Sequence, residues 1–149
     1  MEIKIMMLNK EQIKEIIPQR DPILLVDEVL EMEHGKHIKS KLYVSPDFDF
    51  FKGHFPGAPV LPGVLGVEAI AQTADILLLS FDKYAGKLPL FIGIEGVKFK
   101  KKILPGDTIF IDVTLSKDID EKAICICDGT IYNEQGEVAT VAQVALAMR

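Results

Sequence analysis

Val64-Leu65-Gly66-Val67-Glu68-Ala69-Ile70-Ala71-Gln72-Thr73-Ala74-Asp75-Ile76-Leu77-Leu78-Leu79 is apolar almost all the way round when wound as a helix. Such a helix is buried on most of its faces. It is short for a membrane span, and Glu68, Gln72 and Asp75 interrupt it. Pro62, just upstream, suits a first-turn position, where its missing N–H and fixed φ cost nothing. Downstream of Lys87 the pattern turns to strands, predicted over Leu88–Lys101, Thr108–Leu115, Ala123–Tyr132 and Val138–Met148. Pro105-Gly106-Asp107 and Asn133-Glu134-Gln135-Gly136 supply turns between them. One long buried helix followed by a four-strand antiparallel run predicts a curved sheet wrapped around that helix, an α+β architecture.

Upstream of the helix the signals are local. Asn9 can cap a short helix over Lys10–Ile17, and Pro18 ends it. Ile23–Glu33 reads as a strand, His34-Gly35 as a turn, and a second strand runs through Tyr43. From Ser45 to Pro62 the pattern breaks down, and between Gly53 and Pro62 the prolines and glycines prevent regular structure. Phe48, Phe50, Phe51 and Phe55 crowd this same segment, too many aromatics for a mere solvent-exposed connector.

Composition limits the possible functions. The 149 residues fit one domain over 1–149, with 48% apolar and 26% charged residues, the balance of a globular protein. A net charge of −5 argues against a broad nucleic-acid footprint. Charged residues break up Met1–Lys14, so the uninterrupted apolar core of a signal peptide is missing and a cytoplasmic protein without membrane insertion is expected. Cys125 and Cys127 alternate on one predicted strand face and read as small buried hydrophobes. No further ligands at zinc-like spacing accompany them, so no metal is expected. His34 and His37 flank a turn and read as surface residues.

Chemistry concentrates between Gly53 and Gln72. His54 sits in a rigid Gly/Pro loop among aromatics, and imidazole is the side chain best poised to exchange a proton near neutral pH. A histidine packed for structure is the competing explanation. Glu68 lies in the apolar helix, where burial disfavours its ionised form, the condition a general acid requires. Gln72, four residues on, shares its face and can hydrogen-bond the carboxyl group. Asp75 extends the polar stripe, which also fits a helix edge facing water. Pro62-Gly63 opens the helix, where unpaired N–H groups suit an enolate oxygen; a glycine required by tight packing fits equally. A base, an acid and an oxyanion site thus occur together, without a dinucleotide fingerprint or phosphate loop. Elimination beside a carbonyl requires no cofactor.

The stretch His-Phe-Pro-Gly-x-Pro-x-x-Pro-Gly-Val-x-x-x-Glu-Ala-x-Ala-Gln, from His54 to Gln72, resembles the signature of the (3R)-hydroxyacyl-[acyl carrier protein] dehydratases of bacterial type II fatty acid synthesis. The likeness extends to Ile17–Asp27, Phe91–Phe99 and Pro105-Gly106-Asp107. It implies a hot-dog fold, and a homodimer whose sites each take histidine from one chain and glutamate from the other. Such dimers often assemble as trimers of dimers. By this resemblance His54 removes the C2 proton, Glu68 protonates the departing C3 hydroxyl, and the amides of Gly63 and Val60 hold the thioester carbonyl. Phe55 and Phe99 are candidates for the acyl tunnel. The implied partner is an acidic acyl carrier protein bearing a 3-hydroxyacyl chain, for which Lys98, Lys100, Lys101 and Lys102 offer a basic docking cluster. Strand alternation would put Lys98, Lys100 and Lys102 on one face, and lysines guarding a sheet edge are the alternative. The chain departs from the family at Gln19 and Asp21, within Pro18-Gln19-Arg20-Asp21-Pro22, where Pro-His-Arg-Tyr-Pro is common. Two other functions fit the same fold, an acyl thioesterase and a non-catalytic acyl-binding module.

Overall fold

The computed structural model describes residues 6–149; the first five residues of the charged N-terminal segment lie outside them. Helix α1 (Lys10–Ile16) starts at a reciprocal cap. Asn9 Oδ1 accepts the Gln12 N–H and Gln12 Oε1 accepts the Asn9 N–H, each at 2.9 Å. Ile17 is already extended ahead of Pro18, so the helix is one residue shorter than its sequence predicts.

Among the described residues six antiparallel strands form one sheet: β1 (Glu28–Glu33), β2 (His37–Tyr43), β3 (Pro89–Phe99), β4 (Thr108–Ile119), β5 (Ile124–Tyr132) and β6 (Val138–Met148). Their spatial order is β1-β2-β4-β5-β6-β3. Strands β4, β5 and β6 follow one another through turns, whereas β3 crosses to the far edge and, among the described residues, pairs only with β6. Helix α2 (Gly63–Leu79) lies against β2, β4, β5 and β6 and is buried from Gly66 onward except at Glu68. Gly129 permits this approach: a methyl group there would fall 2.2 Å from Ile70 Cγ2. Among the described residues no helix is long and apolar enough to cross a membrane.

Other local readings change as well. Ile23–Asp27 is not strand, because Leu24, Leu25 and Val26 form a buried strap over α2. Pairing with β2 starts only where Asp27 N–H meets Lys41 O. Strand β4 continues four residues past Leu115 through a bulge between Leu115 and Lys117. Pro62 is the N-cap of α2, one position before the first turn, and Gly63 begins the helix. His37 is half-buried, its Nε2 lying 3.4 Å from Asp112, while His34 is exposed. Cys125 and Cys127 are free and fully buried, and desolvation pushes the Cys125 thiol up to about 11.

Candidate active site

The loop from Gly53 to Pro62 is closed by two bonds between one pair of residues. Val60 N–H donates to His54 O at 3.0 Å, and His54 Nδ1 lies 2.9 Å from Val60 O. A carbonyl oxygen can only accept, so Nδ1 carries a proton, and in the neutral ring Nε2 keeps a free lone pair. The His54–Phe55 peptide is cis, and the two rings stack with centroids 4.0 Å apart.

This arrangement corrects the role expected of Val60. Its amide is already engaged with His54 O, so it is not an available oxyanion donor; its carbonyl instead orients the imidazole. The amides of Gly63 and Val64 have no acceptor among the described residues, since the first bonds at this helix end run from Leu65 and Gly66 to Pro62 O. Gly63 is also a packing glycine, because a methyl group there would sit 2.7 Å from Phe99 Cε1. Tight packing therefore accounts for this glycine, whatever its amide binds.

His54, Gly63, Val64 and Phe99 line one cavity of about 520 Å³, with Leu61, Ile103 and Thr140 on its walls. Sequence reading missed those last three. Ile103 is fixed by accepting the Leu61 N–H at 2.8 Å, and Thr140 comes from β6, whose register alone brings it here. Phe55 is not on this wall; it is 53% exposed on the outside of the His54 ring. Lys100, Lys101 and Lys102 stand at the cavity, whereas Lys98 does not line it. Strand β3 stops at Phe99, so the alternation expected through Lys102 does not apply. Lys101 pairs with Glu137 at 2.9 Å.

Glu68 does not line this cavity. Five residues along an α-helix correspond to about 7.5 Å of rise and a turn of roughly 140°, so Glu68 leaves α2 on a different side from Gly63. It is half-buried against the strap, with Gln72 Nε2 donating to its Oε2 at 2.6 Å. Burial raises its pKa above the ordinary 4.5, and the Gln72 bond acts in the opposite direction. Gln72 is itself anchored, donating to Ile23 O at 2.8 Å and accepting from Leu25 N–H at 2.7 Å. The chain thus presents an oriented imidazole in the cavity and a desolvated carboxyl group outside it.

A family model described as a FabA-like domain matches residues 17–142. The chain belongs to the FabA-like family. The 3-hydroxyacyl-[acyl-carrier-protein] dehydratase FabZ of Bacillus cytotoxicus is 48% identical over 86% of this chain and 92% of its own length. Its counterpart in Oenococcus oeni is 49% identical over 74% of this chain and 79% of its own. Among solved structures, a chain of the dehydratase heterocomplex ApeI:P from Xenorhabdus doucetiae matches with a TM-score of 0.79 at 19% identity, covering 92% of this chain and 90% of that one. A hypothetical thioesterase with coenzyme A from Streptococcus pneumoniae matches at 0.62 and 13% identity, covering 81% and 84%. FabA-like chains and such neighbours share the hot-dog fold, and the fold alone does not select the reaction.

Proposed function

We infer that this chain is a hydro-lyase of fatty acid biosynthesis, converting 3-hydroxyacyl-[acyl carrier protein] to the trans-2-enoyl form. Relatives bearing that activity in their names align with most of its length. The observation that carries the mechanism is the free Nε2 of His54 beside the unengaged amide of Gly63 in one largely apolar cavity. In the elimination, Nε2 takes the C2 proton and the electron pair moves toward the thioester carbonyl. The Gly63 amide stabilises the oxygen as it gains negative charge. The electrons then return to form the C2=C3 double bond as the C3 hydroxyl departs, protonated by Glu68, as water. No redox equivalent is consumed.

Because Glu68 does not line the His54 cavity of its own chain, we assign it to the cavity of a second copy. Strand β3 supports this reading. Among the described residues it leaves one edge unpaired, with Leu90, Ile92 and Ile94 each about half exposed, and at the Phe99 end of the strand Val64 on α2 is 73% exposed. An open apolar edge of this length favours pairing with a like strand. The opposite edge is shielded, since Met6 and Leu8 bond to Met32 and Val29 on β1. Lys100 to Lys102 at the cavity would meet the acidic carrier protein.

The test supplies a 3-hydroxyacyl thioester and follows enoyl absorbance and free thiol in parallel. Absorbance gain with the thioester intact is the expected result. Thiol release without enoyl would indicate a thioesterase, and binding without either would indicate an acyl-binding module. Sedimentation of the same sample distinguishes a dimer from a trimer of dimers.

A further inference from the structure

Asp75 has no part in the elimination and is only 2% exposed in the middle of α2. Its Oδ2 accepts a hydrogen bond from Gln19 Nε2 at 2.8 Å. The same two side chains each leave one buried oxygen without a partner among the described residues, Oδ1 of Asp75 and Oε1 of Gln19. As a carboxylate and an amide, both of these atoms are acceptors, and neither can satisfy the other. Buried polar atoms without partners are rare and costly. Two of them on a pair already joined by one bond suggest a missing proton.

We propose that Asp75 is a neutral carboxylic acid in the folded protein, its Oδ1–H donating to Gln19 Oε1. The pair then closes a ring of two hydrogen bonds that fastens the strap after α1 to α2. One added proton satisfies both orphaned oxygens at once. Gln19 stands at the start of the strap, and Ile23 and Leu25 farther along it are the backbone partners of Gln72, which in turn holds Glu68. Asp75 is therefore a positioning residue for Glu68, a role that rests on the dehydratase reading; its protonation does not.

The surroundings favour the neutral form. Burial is the largest influence on Asp75 and raises its pKa, the Glu68 carboxyl group on the same helix acts in the same direction, and the Gln19 bond opposes them. From β5 the Cys127 thiol lies close enough to feel a charge on Asp75, which would push that thiol up. Among the described residues no basic side chain forms an ion pair with Asp75.

Asp75→Asn supplies the sharpest test, because an asparagine can close the same ring as an amide pair with nothing to titrate. A raised folded pKa means that folding is most favoured below the unfolded value near 3.8 and loses stability as pH rises toward the folded pKa. The wild-type protein is expected to show that decline, and Asp75→Asn to flatten it. Infrared difference spectra of wild type against Asp75→Asn are expected to contain the carbonyl stretch of a protonated, hydrogen-bonded carboxyl group at neutral pH. Asp75→Ala and Gln19→Ala open the ring and are expected to lower kcat far more than they raise KM, by up to roughly 10²-fold for an ångström of misplacement. Asp75→Asn is expected to keep most of the rate. An ionised carboxylate in the spectrum, with a bound water satisfying the two oxygens, would overturn the proposal, as would Asp75→Asn losing the fold. The spectrum does not depend on turnover, so an enzyme with a different reaction would leave this result standing.

Discussion

His54 and Val60 hold each other through both backbone and side chain, the amide of one bonding the carbonyl of the other at 3.0 Å and the imidazole Nδ1 lying 2.9 Å from the returning carbonyl. The imidazole is thereby locked in one tautomer and one orientation before any substrate arrives. A base held in this way pays little ordering entropy when it binds.

His54→Ala is expected to lower kcat by about 10²–10⁴-fold, the usual contribution of a positioned acid–base group. The fold should survive, because the ring is only half-buried and bonds to its own loop. Steady-state kinetics alongside a thermal melt measure both.

Glu68 must be protonated to act as an acid, so the rate should fall as pH rises through its pKa. Burial holds that pKa above 4.5 and extends activity to higher pH than an ordinary carboxyl group would allow. Gln72→Leu removes the bond that favours the charged form, and the alkaline limb of the pH–rate profile should move upward. The same change leaves the buried Leu25 N–H without its acceptor, at a cost of about 1–3 kcal/mol in urea unfolding.

Mixing His54→Ala and Glu68→Gln subunits should restore activity that neither variant has alone. In a two-fold dimer with random exchange, half the dimers are mixed and each contains one intact pair, giving roughly a quarter of wild-type activity. Activity that stays absent after mass spectrometry has verified exchange would put both groups of a site on one chain.

Two glycines should respond differently to one added methyl. At Gly129 it meets Ile70 Cγ2 at 2.2 Å inside the core, and overpacking of this kind costs about 1–3 kcal/mol. At Gly63 it meets Phe99 Cε1 at 2.7 Å, but Phe99 is 56% exposed and its ring can swing aside. Gly63→Ala is therefore expected to disturb acyl binding and KM more than the melting temperature, and Gly129→Ala the reverse.

Much of the molecule could be read from local pattern. The apolar run over Val64–Leu79 identified the central helix within one residue, since no other arrangement buries every side of it. The spacing from His54 to Gln72 likewise revealed the candidate groups and the Glu68–Gln72 bond, because residues four apart on a helix share a face. Other features were invisible there. Ile23–Val26 has the composition of a strand, yet its amides turn to Gln72, a choice set by what lies underneath. The Val60 amide was taken by a loop closure that only folded coordinates reveal, and β3 crossed to the far side of β6, a pairing that no run of residues encodes. Periodicity and residue type settle how each segment folds and which groups it carries, since these depend on neighbours a few positions apart. Which cavity each group faces, and which polar atoms are already satisfied, depend on contacts between distant segments, so only the tertiary structure decided them.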